Sequence, residues 1–166
     1  FLYAMIYGSG VEKVGKMLKL TTKQATQLRN KFFEAMPGLK ELIEHVRHAA
    51  NRGFLVALDG RKLPIPKITK KSRYSTSQYE VYKGPNYLLQ SAGAILMKRA
   101  LLIANQNLNM NFVGNIHDEF IIETEIGEAV QRGKILRQSI IKAGEFYNFR
   151  CPLDAVYKIG RNWSEI

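Results

Sequence analysis

Three consecutive residues, His117-Asp118-Glu119, place an imidazole and two carboxylates inside the otherwise apolar stretch NFVGNIHDEFIIETE, Asn111 to Glu125. Carboxylates at such a spot can hold Mg²⁺, which prefers hard oxygen ligands and shares its coordination between protein and phosphate. The solvated tip of a hairpin has the same composition, so the triplet alone does not decide. Asn86, Gln90, Gly93 and Met97 follow one another at helical spacing. Amides leading to a glycine could face a nucleic-acid groove, since Asn and Gln both donate and accept. A helix–helix contact carrying two amides reads the same way. Tyr3 and Tyr7 are four apart and share a helix face, as two core aromatics would. His45 and His48, three apart, could share a metal, but no third ligand has matching spacing and exposed or packed histidines are expected. Gly8-Ser9-Gly10 and Gly15-Lys16 lack the spacing and the following Ser or Thr of phosphate loops.

The elements that must position these groups follow from pattern and punctuation. FLYAMIY reads as a helix end closed by Gly8-Ser9-Gly10. A short helix is expected over 11–18, and Thr21 with Gln24 forms a capping box opening a helix to about Ala35. Pro37 suits the first turn of a helix over 37–51, ended by Gly53. Phe54–Leu58 reads as a strand, Asp59-Gly60 as a turn, and Arg61–Ile65 as a second arm that Pro64 and Pro66 restrict to a sheet edge. A long helix over 86–105 is expected to bury Leu89, Ala92, Leu96 and Ala100. The stretch around His117 forms the arms of a hairpin on which Phe112, Ile116, Phe120 and Ile122 pack. A helix over 127–147 and a last strand near 152–159 complete the chain. The fold class is α+β.

The composition narrows the partners. The chain has 166 residues, 46% of them hydrophobic, enough for one core and too few for two ordinary domains. The formal net charge is +11. It is uneven: residues 1–83 carry 16 basic and 6 acidic side chains, residues 84–166 carry 9 and 8. A basic half beside a nearly neutral one implies a polyanion, with nucleic acid favoured over an anionic membrane. From Gly60 to Tyr79 six residues are basic and none acidic, a loop suited to neutralising phosphates without reading bases. No unbroken apolar run approaches the roughly 20 residues that cross a bilayer, and no membrane partner is expected. The single Cys151 excludes an intrachain disulfide and is expected to be a small buried apolar residue in an intracellular, reducing setting.

Taken in order, Tyr3-(x3)-Tyr7-Gly8, Asp59-Gly60-Arg61, Asn86-(x3)-Gln90 and His117-Asp118-Glu119 resemble the motifs of family A DNA polymerases, most closely the T7-like phage replicative enzymes. YGSGVEKVGKM resembles their fingers-helix exit, LLQSAGA their palm helix, and NFRCPLD with GRNW their C-terminus. The triplet HDE sets them apart from the related single-subunit RNA polymerases, which typically carry HDS. The resemblance implies that Asp118 binds the catalytic Mg²⁺ ions, with Glu119 the neighbouring acid and His117 near the primer terminus. It implies nucleotide-binding roles for Tyr3, beside the sugar, and Tyr7, against the templating pair. Asn86, Gln90, Arg61 and His117 are the implied DNA contacts. Many members carry Arg four residues before the Asn; here it is Tyr82.

The same resemblance divides the chain into 1–83, the C-terminal part of the fingers with its basic loop, and 84–166, the C-terminal part of the palm with the HDE hairpin. Together these would be one incomplete polymerase domain with a small antiparallel sheet. The second metal-site aspartate, the fingers Arg and Lys that hold the triphosphate, the thumb and any exonuclease are not among these residues. The chain is therefore expected to be inactive in nucleotidyl transfer without an upstream polymerase portion, a view to which the start within a helix also points. Its expected partners are primer–template DNA, deoxynucleoside triphosphates, that upstream portion, and a processivity factor bound outside this chain; a phage-encoded protein would work in the host cytoplasm. A non-catalytic DNA-binding remnant and a metal-dependent nuclease using His117 and the acids are the alternatives.

Overall fold

A computed structural model describes residues 2–7, 9–68, 78–107 and 109–166. Six helices are described, α1 Leu2–Ile6, α2 Val11–Leu18, α3 Thr22–Ala35, α4 Pro37–Ala50, α5 Gly84–Asn107 and α6 Ala129–Phe146. Two antiparallel pairs accompany them, β1 Phe54–Val56 with β2 Lys62–Pro64, and β3 Asn111–Ile116 with β4 Glu119–Glu123. The class is α+β. Two compact units divide the chain, Phe1–Gln90 and Ser91–Ile166.

In the first unit, local signals set each boundary. Lys19 adopts a left-handed conformation (φ 55°) after α2, and Leu20 N–H donates to the Gly15 carbonyl at 2.9 Å. The capping box forms reciprocally: Thr21 Oγ1 accepts from Gln24 N–H at 3.3 Å, and Gln24 Oε1 accepts from Thr21 N–H at 3.0 Å. Pro37 occupies the first turn of α4, where its missing N–H costs no bond. Val46, Ala50, Leu55 and Ile65 are the buried centre, covered by Leu63, Tyr79, Val81, Tyr87 and Leu88. Gly53 has φ +84°, and a Cβ there would meet the Tyr79 ring at 2.7 Å, so backbone and ring both require glycine.

Residues 69–77 of the basic loop of 60–79 lie outside the described residues, as does Gly8. Its base is described: Lys67 and Tyr79 form an antiparallel bridge, and Ile68 N–H donates to the Gln78 carbonyl at 3.0 Å.

In the second unit, Ile95, Met97, Ala100, Ala104, Met110 and Ala143 are buried. The expected stripe on α5 is displaced: Leu89 is 45% exposed and Met97, expected on the polar face, is buried. Helix α5 is apolar around most of its circumference, so spacing alone does not pick the inward side. The expectation that no segment suits a membrane also needs correction. Val81–Gln106 contains an 18-residue window of mean hydropathy 1.3, of which 17% is buried, and is long and apolar enough to cross one by length and composition. Asn86, Gln90, Lys98 and Arg99 interrupt it, so no single unbroken run stands out.

The expected strand near 152–159 is absent. Residues 152–160 have no ladder partner among the described residues and lie instead along α6. A Cβ on Gly133 would fall 2.5 Å from Tyr157 Cδ2, and one on Gly144 2.9 Å from Leu153 Cδ1. Arg137 clamps Asp154 with two bonds, Nε–Oδ1 at 2.7 Å and Nη2–Oδ2 at 2.8 Å. Gly133, Arg137 and Gly144, four and seven apart, share one face of α6. Cys151, expected to be buried, is exposed at the start of this tail.

Candidate functional site: an acidic hairpin corner and its companions

Hairpin β3–β4 is built on an irregularity. Phe112 pairs with Ile122 and Gly114 with Ile121, so Val113 is an extra residue bulged out of the ladder. A bulge resets the two-residue alternation. Phe112 and Asn115 therefore share a face with Ile122 and Phe120, and the Phe112 and Phe120 rings meet edge to face at 5.6 Å. Gly114 and Ile116 fall on the opposite face, where a Cβ on Gly114 would touch Ile121 at 3.2 Å. That corrects the expected packing of Ile116 beside Phe112: Ile116 is 42% exposed. Asn111 Nδ2 donates to Glu123 Oε2 at 3.2 Å across the open end.

Ile116 pairs with Glu119, leaving His117 and Asp118 as a two-residue corner. His117 takes φ +53°, a region seldom used by residues with a Cβ, though His is among the more tolerant. The tight reversal puts His117, Asp118 and Glu119 side by side, and all three side chains are exposed. Carboxylate oxygens there are open to a cation that also binds waters and phosphate, which is the usual mode for Mg²⁺. No group of three or more His, Cys, Asp or Glu converges to hold a metal among the described residues. The residues present thus fit part of an Mg²⁺ site, not a closed one.

Two other carboxylates that could be considered as ligands are already engaged. Asp59 accepts from Arg61 Nε at 2.7 Å, and this guanidinium holds its carboxyl below the ordinary range. Asp154 is held down to about 2, first by Arg137 and then by the Ala155 N–H.

Each remaining set of expected residues is brought together by its own element. Tyr3 on α1 and Tyr7 in the turn after it stack with centroids 6.1 Å apart and planes 17° from parallel. Tyr3 is 72% exposed, so the pair is not core packing. Asn86, half-buried, and Gln90, exposed, stand one turn apart at the start of α5. A Cβ on Gly93, further along this helix, would have nothing within 4 Å, so packing within the chain does not demand glycine there. Arg61 follows the left-handed Gly60 (φ +85°) in the β1–β2 turn, paired with Asp59. Tyr82 Oη donates to Glu80 Oε1 at 3.2 Å, and the same carboxylate group pairs with Lys83 and raises its affinity for a proton. His45 and His48 are both exposed on α4 and do not join a metal cluster. Sequence reasoning gave no role to Arg132 or the Arg137–Asp154 clamp. The clamp partners are far apart in sequence, and only the four-and-seven spacing on α6 hints at it.

The sequence profile of DNA polymerase family A matches residues 1–165. A DNA-directed DNA polymerase of Escherichia phage Phieco32 is 30% identical over 98% of the chain and 26% of its own length. That of Escherichia phage T7 is 26% identical over 99% and 25%. DNA polymerase I of Caldicellulosiruptor bescii is 27% identical over 98% and 19%. The chain therefore spans about a quarter or less of these relatives. Among solved structures, the POL domain of Pol1 from M. smegmatis, in complex with DNA primer-template and dNTP, superposes with a TM-score of 0.75 at 21% identity. The match covers 86% of this chain and 26% of that one.

Proposed function

The chain belongs to DNA polymerase family A, and from that premise we propose that it is the C-terminal fingers-and-palm portion of a template-directed DNA polymerase. The exposed His117-Asp118-Glu119 corner carries the reading. Asp118 is its metal ligand, Glu119 the adjoining acid, and His117 the group beside the primer terminus. Residues 1–83 are the fingers part and 84–166 the palm part.

Mg²⁺, when bound, stabilises the attacking and leaving oxygens of an in-line displacement at phosphorus. The chain's own share is placement. A short two-stranded hairpin with a packed Phe112–Phe120 pair holds the backbone that presents Asp118, and metal ligands work best on such fixed elements. Stacked Tyr3 and Tyr7 offer flat surface to an incoming nucleotide and the templating pair, selecting by shape. Asn86 and Gln90 donate to and accept from the duplex, and Arg61 adds a phosphate-directed charge whose orientation Asp59 sets. That the described residues hold no converging carboxylate set supports the reading that the chain completes its site with an upstream polymerase portion, within one gene product or as a second polypeptide. Primer–template DNA and deoxynucleoside triphosphates are its partners, with a processivity factor bound elsewhere. The reading takes Val81–Gln106 as a palm helix carrying Asn86 and Gln90 to the duplex rather than as a membrane span, and the setting as intracellular, the host cytoplasm if the gene is a phage's.

The test pairs two assays. Residues 1–166 alone are expected to give no Mg²⁺-dependent primer extension; measurable extension refutes the incomplete site. In the complete enzyme, Asp118→Ala is expected to lower extension by about 10³-fold, roughly 4 kcal/mol of transition-state stabilisation, with DNA affinity unchanged. Unchanged extension would remove Asp118 from the metal site; duplex binding that neither Asp118→Ala nor Mg²⁺ alters would leave a DNA-binding remnant, and Mg²⁺-dependent cleavage by the isolated chain that Asp118→Ala abolishes would favour a nuclease.

A further inference from the structure

Arg132 stands in the first turn of α6, four residues after Glu128, and its side chain is only 18% exposed. Its Nε and Nη2 both donate to Glu128 Oε2, at 2.8 and 2.7 Å. A carboxylate four residues ahead of a cation suits a helix, and an acid suits the positive end of the helix dipole. The guanidinium is thereby held in one orientation, with Nη1 directed at the start of β3. There it donates to the Asn109 carbonyl at 3.3 Å and to Met110 Sδ at 3.7 Å. Met110 is 5% exposed, and its own carbonyl accepts from Phe112 N–H at 3.1 Å. An exposed ion pair on a helix contributes little, whereas this one is largely buried and joins two elements. The other arm of the hairpin ends at Glu123, and residues 124–128 carry the chain directly into α6. Both arms are thus tied to the first turn of α6, β4 by the chain itself and β3 by Arg132.

We propose that Arg132 is a positioning residue for Asp118: it fixes the root of β3 on α6, and with it the direction in which the hairpin presents the His117-Asp118-Glu119 corner. The ladder transmits the constraint, from Asn111 with Glu123 at the root to Ile116 with Glu119 at the corner, and the Phe112 and Phe120 rings lock its middle. At the usual rise per residue, the six residues of β3 make a lever of about 20 Å, so a tilt of about 3° at the root moves the corner by about 1 Å. A misplacement of that size, caused far from the chemistry, can cost about 10²-fold in rate. The planar fork is what the task needs, because one ammonium cannot hold carboxylate and carbonyl in a fixed plane. The role in turnover rests on the polymerase reading of Asp118; the hold on β3 does not.

The experiment places Arg132→Ala, Arg132→Lys and Glu128→Gln in the 166-residue chain and in the complete enzyme. In the chain, Arg132→Ala should quicken amide hydrogen exchange over 111–123 by about 10-fold while the second half of α6 stays protected; unchanged exchange would show that Arg132 does not hold the hairpin. In the complete enzyme, single-nucleotide extension is followed with active sites counted from the burst. Turnover per active site should fall by about 10-fold or more in Arg132→Ala, with KM for the deoxynucleoside triphosphate and DNA affinity unchanged. Arg132→Lys should recover part of the loss, and Glu128→Gln, which loosens the fork but spares its bonds to β3, should lose about 3-fold. A loss accounted for wholly by fewer active sites would make Arg132 a folding residue and overturn the proposal. A raised KM with turnover kept would overturn it too, in favour of a direct ligand contact. If Arg132→Ala does not fold, Arg132→Lys and Glu128→Gln must show the lowered turnover at full site count. Asp118→Ala is the control. Extension that survives it sinks the polymerase reading, and the exchange rates then decide the hold on β3 by themselves. Extension lost in Asp118→Ala but intact in Arg132→Ala sinks the positioning role alone.

Discussion

His117 holds a left-handed backbone at the two-residue corner of the β3–β4 hairpin, with Asp118 beside it. Their identities were legible in the sequence because an imidazole and two carboxylates interrupt an apolar run. The resemblance named their roles. What the residues alone could not supply was their neighbours, since charge partners such as Arg137 and Asp154 are separated by 17 positions. That pair yields a prediction at this scale. Asp154 has a folded pKa of about 2 against an ordinary 3.8, so protons bind more readily to the unfolded chain. Its stabilisation is fully present above about pH 4 and is lost as pH falls through about 2. Melting curves of wild type and Asp154→Asn should therefore converge near pH 2 and separate above pH 4; parallel curves over that range would refute the clamp. The effect should be small, because both side chains are largely exposed.

Among elements, those with end signals were the most legible: the Thr21 capping box, Pro37 at the head of α4, and the β1–β2 turn at Gly60 all lie where punctuation puts them. Packing direction was less so. The inward side of α5 is not set by pattern because nearly every side is apolar, and the tail expected as a strand near 152–159 lies on a helix face instead, which leaves no periodic mark. Glycines separate these cases. Gly93→Ala should stabilise the chain by about 1 kcal/mol, since the new methyl meets nothing and Ala suits a helix better. If α5 lies against DNA, the same change should weaken DNA binding; unchanged affinity would remove Gly93 from any interface. Gly133→Ala gains the same propensity but drives a Cβ into the Tyr157 ring. Overpacking costs about 1–3 kcal/mol, so this variant should be no more stable than the wild type and should expose the tail to proteolysis after about residue 150. A chain stabilised by both substitutions would show that the tail does not rest on α6.

For the whole molecule, charge was the plainest sequence signal and remains a quantitative one. A net charge of +11, concentrated in residues 1–83, should make DNA affinity fall steeply with salt, with a log–log slope steeper than about −3, as for a protein meeting four or more phosphates. A slope near zero would mean that the basic half does not engage the backbone. Fold class was also legible, because helix signals and hairpin signals occupy separate stretches. The core was less so. Exposed apolar residues such as Leu102, Val113 and Ile126 belong to a chain that spans only part of its relatives' length, and no periodicity within 166 residues can tell which apolar face is covered from inside it.

The Val113 bulge makes the hairpin a parity device. Side chains on a strand change sides with every residue, so the one unpaired position decides which residues join Phe120 and Ile122 and which turn away. Removing Val113 alone would leave a regular ladder with the same pairs, Phe112 with Ile122 and Asn115 with Phe120, so each side of β3 would keep its residues. The bulge therefore lets the segment between Phe112 and Asn115 hold one residue more than the ladder needs without changing what either side presents.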